Sequence, residues 1–96
     1  MKTRYDLIND AVNNHGGKVF RIYANGRGDY GNTSKQYVQY KVEMLFRKAN
    51  FNEVAICEEI NQDPRVQRAY ISDNGNGYLR VNFFETARQE RIRLKG

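Results

Sequence analysis

The sequence predicts an α+β domain: a two-layer α-β-β-α-β-β pseudo-repeat in which one four-stranded antiparallel sheet carries two helices on one face. Three observations lead there. Two segments show apolar residues at helical spacing behind a capping residue, and four segments alternate apolar with polar side chains. The heptapeptide KVFRIYA at residues 18–24 is echoed by RVQRAYI at residues 65–71, forty-seven positions later (65 − 18 = 47).

The elements follow in order. Thr3 stands three residues before Asp6, as an N-cap with an acidic partner does, and Tyr5, Ile8, Ala11 and Val12 recur at helical spacing until Gly16-Gly17 stops the run. Residues 4–14 are therefore expected to be helical. Residues 18–24 alternate Phe20, Ile22 and Ala24 with Val19, Arg21 and Tyr23, as a strand does, and residues 25–36, rich in Gly, Asn and Ser, read as a loop. Residues 37–46 satisfy two patterns. Val38, Tyr40, Val42, Met44 and Phe46 fit strict alternation, while Val38, Val42, Leu45 and Ala49 fit a helix; the unbroken alternation favours a strand. Asn52 or Asn50 caps a second helix over residues 52–61, with Val54, Ala55, Ile56 and Ile60, ended before Pro64. Residues 65–72 and 78–84 flank Asp73-Asn74-Gly75-Asn76-Gly77, whose Asn-Gly steps accept the positive φ of a tight hairpin turn. The single domain is expected to span residues 1–85, with residues 86–96 a basic tail or short helix.

Alternation assigns the two faces of the sheet. The helix-covered face collects Phe20, Ile22, Ala24, Val38, Tyr40, Val42, Met44, Ala69, Ile71, Leu79, Val81 and Phe83. The other face collects Val19, Arg21, Tyr23, Gln39, Lys41, Glu43, Val66, Arg68, Tyr70, Tyr78, Arg80, Asn82 and Phe84, and apart from the tail no third layer is left to cover it.

Composition bounds the chemistry. Sixteen Lys and Arg against eleven Asp and Glu give a formal charge of +5 over 96 residues, which favours polyanionic partners and also suits plain solubility. One cysteine, Cys57, and one histidine, His15, exclude an internal disulfide and a Cys-based zinc site, and no cofactor is implied. No apolar run approaches the ~18 residues of a membrane span, and Met1-Lys2-Thr3-Arg4 leads into a polar segment, so the expectation is a cytoplasmic protein without a membrane partner.

The open face is the candidate site. Tyr23, Tyr70, Tyr78 and Phe84 interleave there with Arg21, Arg68, Arg80 and Lys41; rings stack on unpaired bases and Arg contacts phosphates or stacks itself. The loop adds Arg27 and Lys35, with glycines that let backbone N–H groups approach an anion, and the tail adds Arg88 and Arg91, with Arg93 and Lys95 close by. Two other uses of such a face stay open: Tyr and Arg are enriched at protein interfaces, and cross-strand aromatic pairs stabilise sheets with no ligand at all. The GxGxxG at Gly26, Gly28 and Gly31 precedes a strand and not a helix, so it is no dinucleotide site, and Arg27-Gly28-Asp29 reads as a turn.

Catalysis finds little support. His15 is expected against the last carbonyls of its helix, Cys57 within helical core, and Asp6, Asp10, Glu58 and Glu59 on helix surfaces. The expected function is a small, non-enzymatic nucleic-acid-binding protein that contacts single-stranded or structured RNA or DNA. The alternative is a phage-like or mobile-element accessory protein that regulates or inhibits a host protein through the same face, or pairs with a second copy through it. The order of elements is similar to that of half a LAGLIDADG homing endonuclease and of the double-wing domain of a phage transcription activator, but the helix at residues 4–14 lacks the LAGLIDADG motif and its metal-binding acid. In a rival topology residues 35–49 are helical and the domain is a winged helix, binding duplex DNA through a helix, Arg65, Arg68 and Arg80.

Overall fold

The computed structural model describes residues 2–29, 36–72 and 78–84, without the side chains of residues 25, 27–29 and 36. Capping and periodicity produce two helices. α1 (Arg4–Asn14) begins where Thr3 Oγ1 accepts the Asp6 amide at 3.0 Å, and α2 (Glu53–Asn61) begins where Asn52 Oδ1 accepts the Ala55 amide at 3.1 Å. Each oxygen satisfies a donor that a first helical turn leaves unpaired. The alternating segments become β1 (Gly17–Asp29), β2 (Gln36–Phe46), β3 (Val66–Ile71) and β4 (Leu79–Phe84).

The four strands form one antiparallel sheet in the order β1-β2-β4-β3, so the second strands of the two α-β-β units meet at the centre and the first strands lie at the edges. β2 is bonded on both sides, which settles residues 37–46 as strand and excludes the winged helix. β1 continues to Asp29, where Gly28 faces Tyr37 and Asp29 faces Gln36, so residues 25–29 of the expected loop are sheet instead. The GxGxxG and Arg-Gly-Asp stretches therefore begin inside a strand. Residues 30–35, the hairpin turn at 73–77 and the expected tail lie outside the described residues.

Both helices cover the same side of the sheet. Leu7, Ile8, Ala11 and Val12 of α1 and Ile56 and Ile60 of α2 form one core with Val42, Val66, Ala69, Leu79, Val81 and Phe83, while Val19, Ile22, Tyr40, Met44, Phe51, Cys57 and Ile71 pack at its border. The two units are joined at the turns that precede β1 and α2. Gly16 carbonyl accepts the amides of Arg47 at 3.1 Å and Lys48 at 2.9 Å, and His15 carbonyl accepts the amide of Asn52 at 3.0 Å. That approach requires glycine: Gly16 has φ +83°, and a Cβ there would stand 2.7 Å from the Phe51 nitrogen and 2.8 Å from its Cα.

Alternation fails at matching places in the two edge strands. Val19 faces Met44 and Arg21 faces Glu43, so Phe20 has no residue opposite it; Val66 faces Phe83 and Arg68 faces Asn82, so Gln67 has none. Each is a β-bulge, which moves every residue before it to the other face. Val19 and Val66, expected on the open face, therefore lie on the core side, with Val66 fully buried, and Phe20, expected in the core, is 60% exposed. Ala24 keeps the core-side parity opposite Tyr40 but is exposed on the edge strand.

Two further assignments change. Asn82 is 4% exposed because it lies under amide bonds: its Oδ1 accepts from Gln39 Nε2 at 2.8 Å and its Nδ2 donates to Gln67 Oε1 at 3.2 Å. Phe84 is only 2% exposed although it stands outside the helix-side core. Its main chain is bonded on both sides, the amide donating to the Arg65 carbonyl at 2.9 Å and the carbonyl accepting from Arg4 Nη2 at 3.1 Å. Its ring is not offered to a ligand. Arg65, a duplex contact in the rival topology, is held instead by Asp63 at 2.9 Å and by the Lys2 carbonyl at 2.8 Å.

Candidate nucleic-acid interface

Beyond each bulge the parity is as expected, and it brings the Arg/Tyr pairs of the echoed heptapeptides to one face. Tyr23 faces Lys41, Lys41 faces Arg80, and Arg80 faces Tyr70, so one row of side chains crosses all four strands on the side away from the helices. Arg21 and Glu43 stand together to one side of that row, and Arg68 and Asn82 to the other. A rotation about an axis between Lys41 and Arg80 exchanges Tyr23 with Tyr70 and Arg21 with Arg68. The echo at residues 18–24 and 65–71 is thus a structural repeat as well as a verbal one.

Cations and rings on this face are stacked on each other. Lys41 Nζ lies 4.0 Å from the Tyr78 ring centroid and 5.7 Å from that of Tyr23, and Arg68 Cζ lies 4.8 Å from Tyr70. Such pairs contribute roughly 0.5–1 kcal/mol each where exposed, and they hold flexible basic side chains over the sheet. Gln39 links the centre: its Nε2 donates to Tyr70 Oη at 3.1 Å, and its Oε1 accepts from Arg80 Nη1 at 3.1 Å. Tyr23 Oη donates to Glu43 Oε1 at 3.4 Å, and Arg21 Nε lies 3.9 Å from Glu43 Oε2.

Charge is divided between the layers. Among the described side chains the outer face carries Arg21, Lys41, Arg68 and Arg80, joined by Lys18, which faces Leu45 across β2. Glu43 is the only described carboxylate there. Asp6, Asp10, Glu53, Glu58 and Glu59 are on the helices, and Asp63 follows α2. The described part of the outer face thus offers a ligand five cations and one anion, while the described carboxylates otherwise gather on the helix side.

Of the residues singled out in the sequence, Arg21, Tyr23, Lys41, Arg68, Tyr70, Tyr78 and Arg80 share the face. Arg27 faces Val38 in β1, its side chain outside what is described; Lys35, Arg88 and Arg91 lie outside the described residues. Lys18 and Gln39 were missed as site residues. The bulge that turns Val19 inward is what turns Lys18 outward, while Gln39, placed on the open face by alternation, is neutral and so was not counted among the charged and aromatic site residues.

The helix side holds the remaining reactive groups. His15 Nε2 is 3.0 Å from Glu59 Oε1, so the ring bridges α1 to α2 instead of meeting the last carbonyls of α1. The Cys57 thiol is half-buried at the core border, and burial pushes its pKa up. No group of three or more His, Cys, Asp or Glu among the described residues could hold a metal ion, and no described helix is long and apolar enough to cross a membrane. Comparison of the chain with protein-family models, with curated proteins and with solved structures returned no match.

Proposed function

We propose that this chain is a small, non-enzymatic nucleic-acid-binding protein that holds single-stranded or irregular RNA or DNA on its outer sheet face. The row Tyr23–Lys41–Arg80–Tyr70 carries the proposal, because it sets two central cations between two flanking rings across the whole sheet. Cations neutralise phosphates, and rings stack on bases whose own partners are absent. From Arg21 to Arg68 the face measures about 20 Å along its diagonal, taking ~4.8 Å between strands and ~3.3 Å per residue. A few nucleotides would fill that length, at the small end of the site sizes of single-strand platforms.

The test is an amide NMR titration with a short RNA, a single-stranded DNA and a duplex, compared with a chain carrying Arg68→Ala and Tyr70→Ala. Shifts confined to the row, strongest for a single strand and lost in the folded double variant, are the expected result. Unchanged affinity in that variant would remove the outer face from consideration.

A second use of the same surface has one observation in its favour: Leu45, 48% exposed and next to Glu43 in parity, and Phe20, 60% exposed, add apolar area that nucleic acid does not need. An accessory protein that docks on a host protein through this face would use them. A partner whose capture survives nuclease treatment and is lost on Leu45→Asp would favour docking over nucleic acid.

A further inference from the structure

The two halves of the outer face share a bulge and an Arg/Tyr pair but not the residues opposite that pair. Tyr70 and Arg68 stand where Tyr23 and Arg21 stand in the other half, but the residue opposite Arg68 is Asn82 and the residue opposite Arg21 is Glu43. The carboxylate occupies the first half: Glu43 accepts from Tyr23 Oη at 3.4 Å and lies 3.9 Å from Arg21 Nε. In the second half Asn82 is buried and bonded to Gln39 and Gln67, and no carboxylate among the described residues pairs with Arg68. Arg68 instead lies with its guanidinium 4.8 Å from the centre of the Tyr70 ring, and it is exposed.

That ring is held as well. Tyr70 Oη accepts from Gln39 Nε2 at 3.1 Å, and Gln39 is fixed in turn by Arg80 at 3.1 Å and Asn82 at 2.8 Å. A guanidinium resting on an anchored ring has its orientation set before a ligand arrives. Its other face is flat and cationic, which is the surface an unpaired base stacks on, and its N–H edge meets no acid among the described residues. Arg21 has neither advantage, since its counterpart contact is with the exposed bulge residue Phe20 at 5.5 Å and a carboxylate lies beside it.

We infer that the Arg68–Tyr70 end is the base-stacking subsite, an unpaired nucleobase lying on the guanidinium as a third layer above the ring, while the Arg21–Tyr23 end contributes charge alone. The inference rests on the nucleic-acid function proposed above and names the position at which that ligand is gripped. Lysine at position 68 keeps the charge and loses the plate, so it separates stacking from attraction.

The experiment uses the full chain and a short single-stranded oligonucleotide carrying one 2-aminopurine, whose fluorescence falls on stacking, with affinity read by anisotropy. Arg68→Lys is expected to weaken binding about tenfold and abolish the quenching with the salt dependence retained, whereas Arg21→Lys changes affinity less than about twofold. Thermal melting checks that both variants fold, as substitutions of exposed side chains should. Wild-type affinity and quenching in folded Arg68→Lys, or an equal loss in Arg21→Lys, would overturn the subsite while leaving nucleic-acid binding in place. Absence of binding by the unaltered chain to single strands would overturn both, and the two failures are told apart by that control.

Discussion

Glu43 is the one described carboxylate among five cations on the outer face, so neutralising it should tighten the binding of a polyanion. Glu43→Gln preserves shape and leaves an amide oxygen to accept from Tyr23 Oη, which stands 3.4 Å away in the unaltered protein. At roughly 7 Å in a dielectric of about 80, one unit charge acts on a phosphate with about 0.6 kcal/mol, close to a threefold change in affinity. Screening over a Debye length of about 8 Å reduces that to less than about twofold at physiological salt. The effect should therefore be visible at low ionic strength and fade as salt is added. Anisotropy titrations of a labelled single strand against both chains at several salt concentrations provide the measurement, and Arg21, released from its carboxylate, should steepen the logarithmic salt dependence by up to about 0.7. Equal or weaker binding by folded Glu43→Gln at low salt would show that the face does not meet a polyanion as its charges imply.

Three further outcomes test the fold beneath that face. Gly16→Ala places a Cβ 2.7 Å from a backbone nitrogen at φ +83°, so denaturant unfolding should show a loss of about 3 kcal/mol, combining left-handed strain of 1–2 kcal/mol with the clash. Phe83→Ala empties the position of a fully buried ring that contacts Tyr40 at 5.4 Å and carries Arg4 at 4.8 Å; a loss of about 3–5 kcal/mol is expected, a large part of the stability of a domain this size. For Cys57, burial raises the folded thiol pKa above the unfolded value near 8.5, so the native state retains its proton more firmly than the unfolded chain does. Its contribution to stability is complete below the unfolded pKa and is lost as pH rises through the folded one. The difference in unfolding free energy between the native chain and Cys57→Ala should thus shrink above about pH 8.5, and native Cys57 should react with a thiol reagent more slowly than the denatured chain.

Helices were legible in the sequence because their signals are local: Thr3 and Asn52 cap as their positions imply, and Gly16-Gly17 ends α1 where the chain must pass close to Phe51. The outer-face Arg and Tyr residues were legible from period two alone. Misplaced residues had causes outside that period. Val19, Phe20 and Val66 changed sides because a bulge is one extra residue, with no composition of its own to mark it. Phe84 and Asn82 were misjudged because alternation gives a direction and says nothing of what lies over a side chain. The extension of β1 through residues 25–29 is a case of tertiary pairing overriding local preference: β2 supplies hydrogen bonds to a Gly- and Asn-rich segment that on its own favours a loop.

The bulges also explain how one short phrase can serve core and surface together. In Val-x-Arg-x-Tyr, strict alternation would put Val, Arg and Tyr on the same side, and a valine turned to solvent would leave the core short at both sheet edges. One extra residue between Val and Arg sends the valine inward, against Met44 in one unit and Phe83 in the other, while Arg and Tyr stay outward. Bulges also bend and twist the strands that carry them, and β1 and β3 are the two edges, where an unbroken strand would be a template for pairing with another chain. The same inserted residue therefore completes the core, blunts the edge and aims a cation and a ring at the outer face. Because both units use it at the same point of the same phrase, the two Arg/Tyr pairs come out related by the axis between Lys41 and Arg80. Lys41 opposite Tyr23 answers to Arg80 opposite Tyr70 with the charge kept, whereas Glu43 and Asn82 opposite the two arginines differ in charge, so the carboxylate is what sets the two ends apart electrostatically.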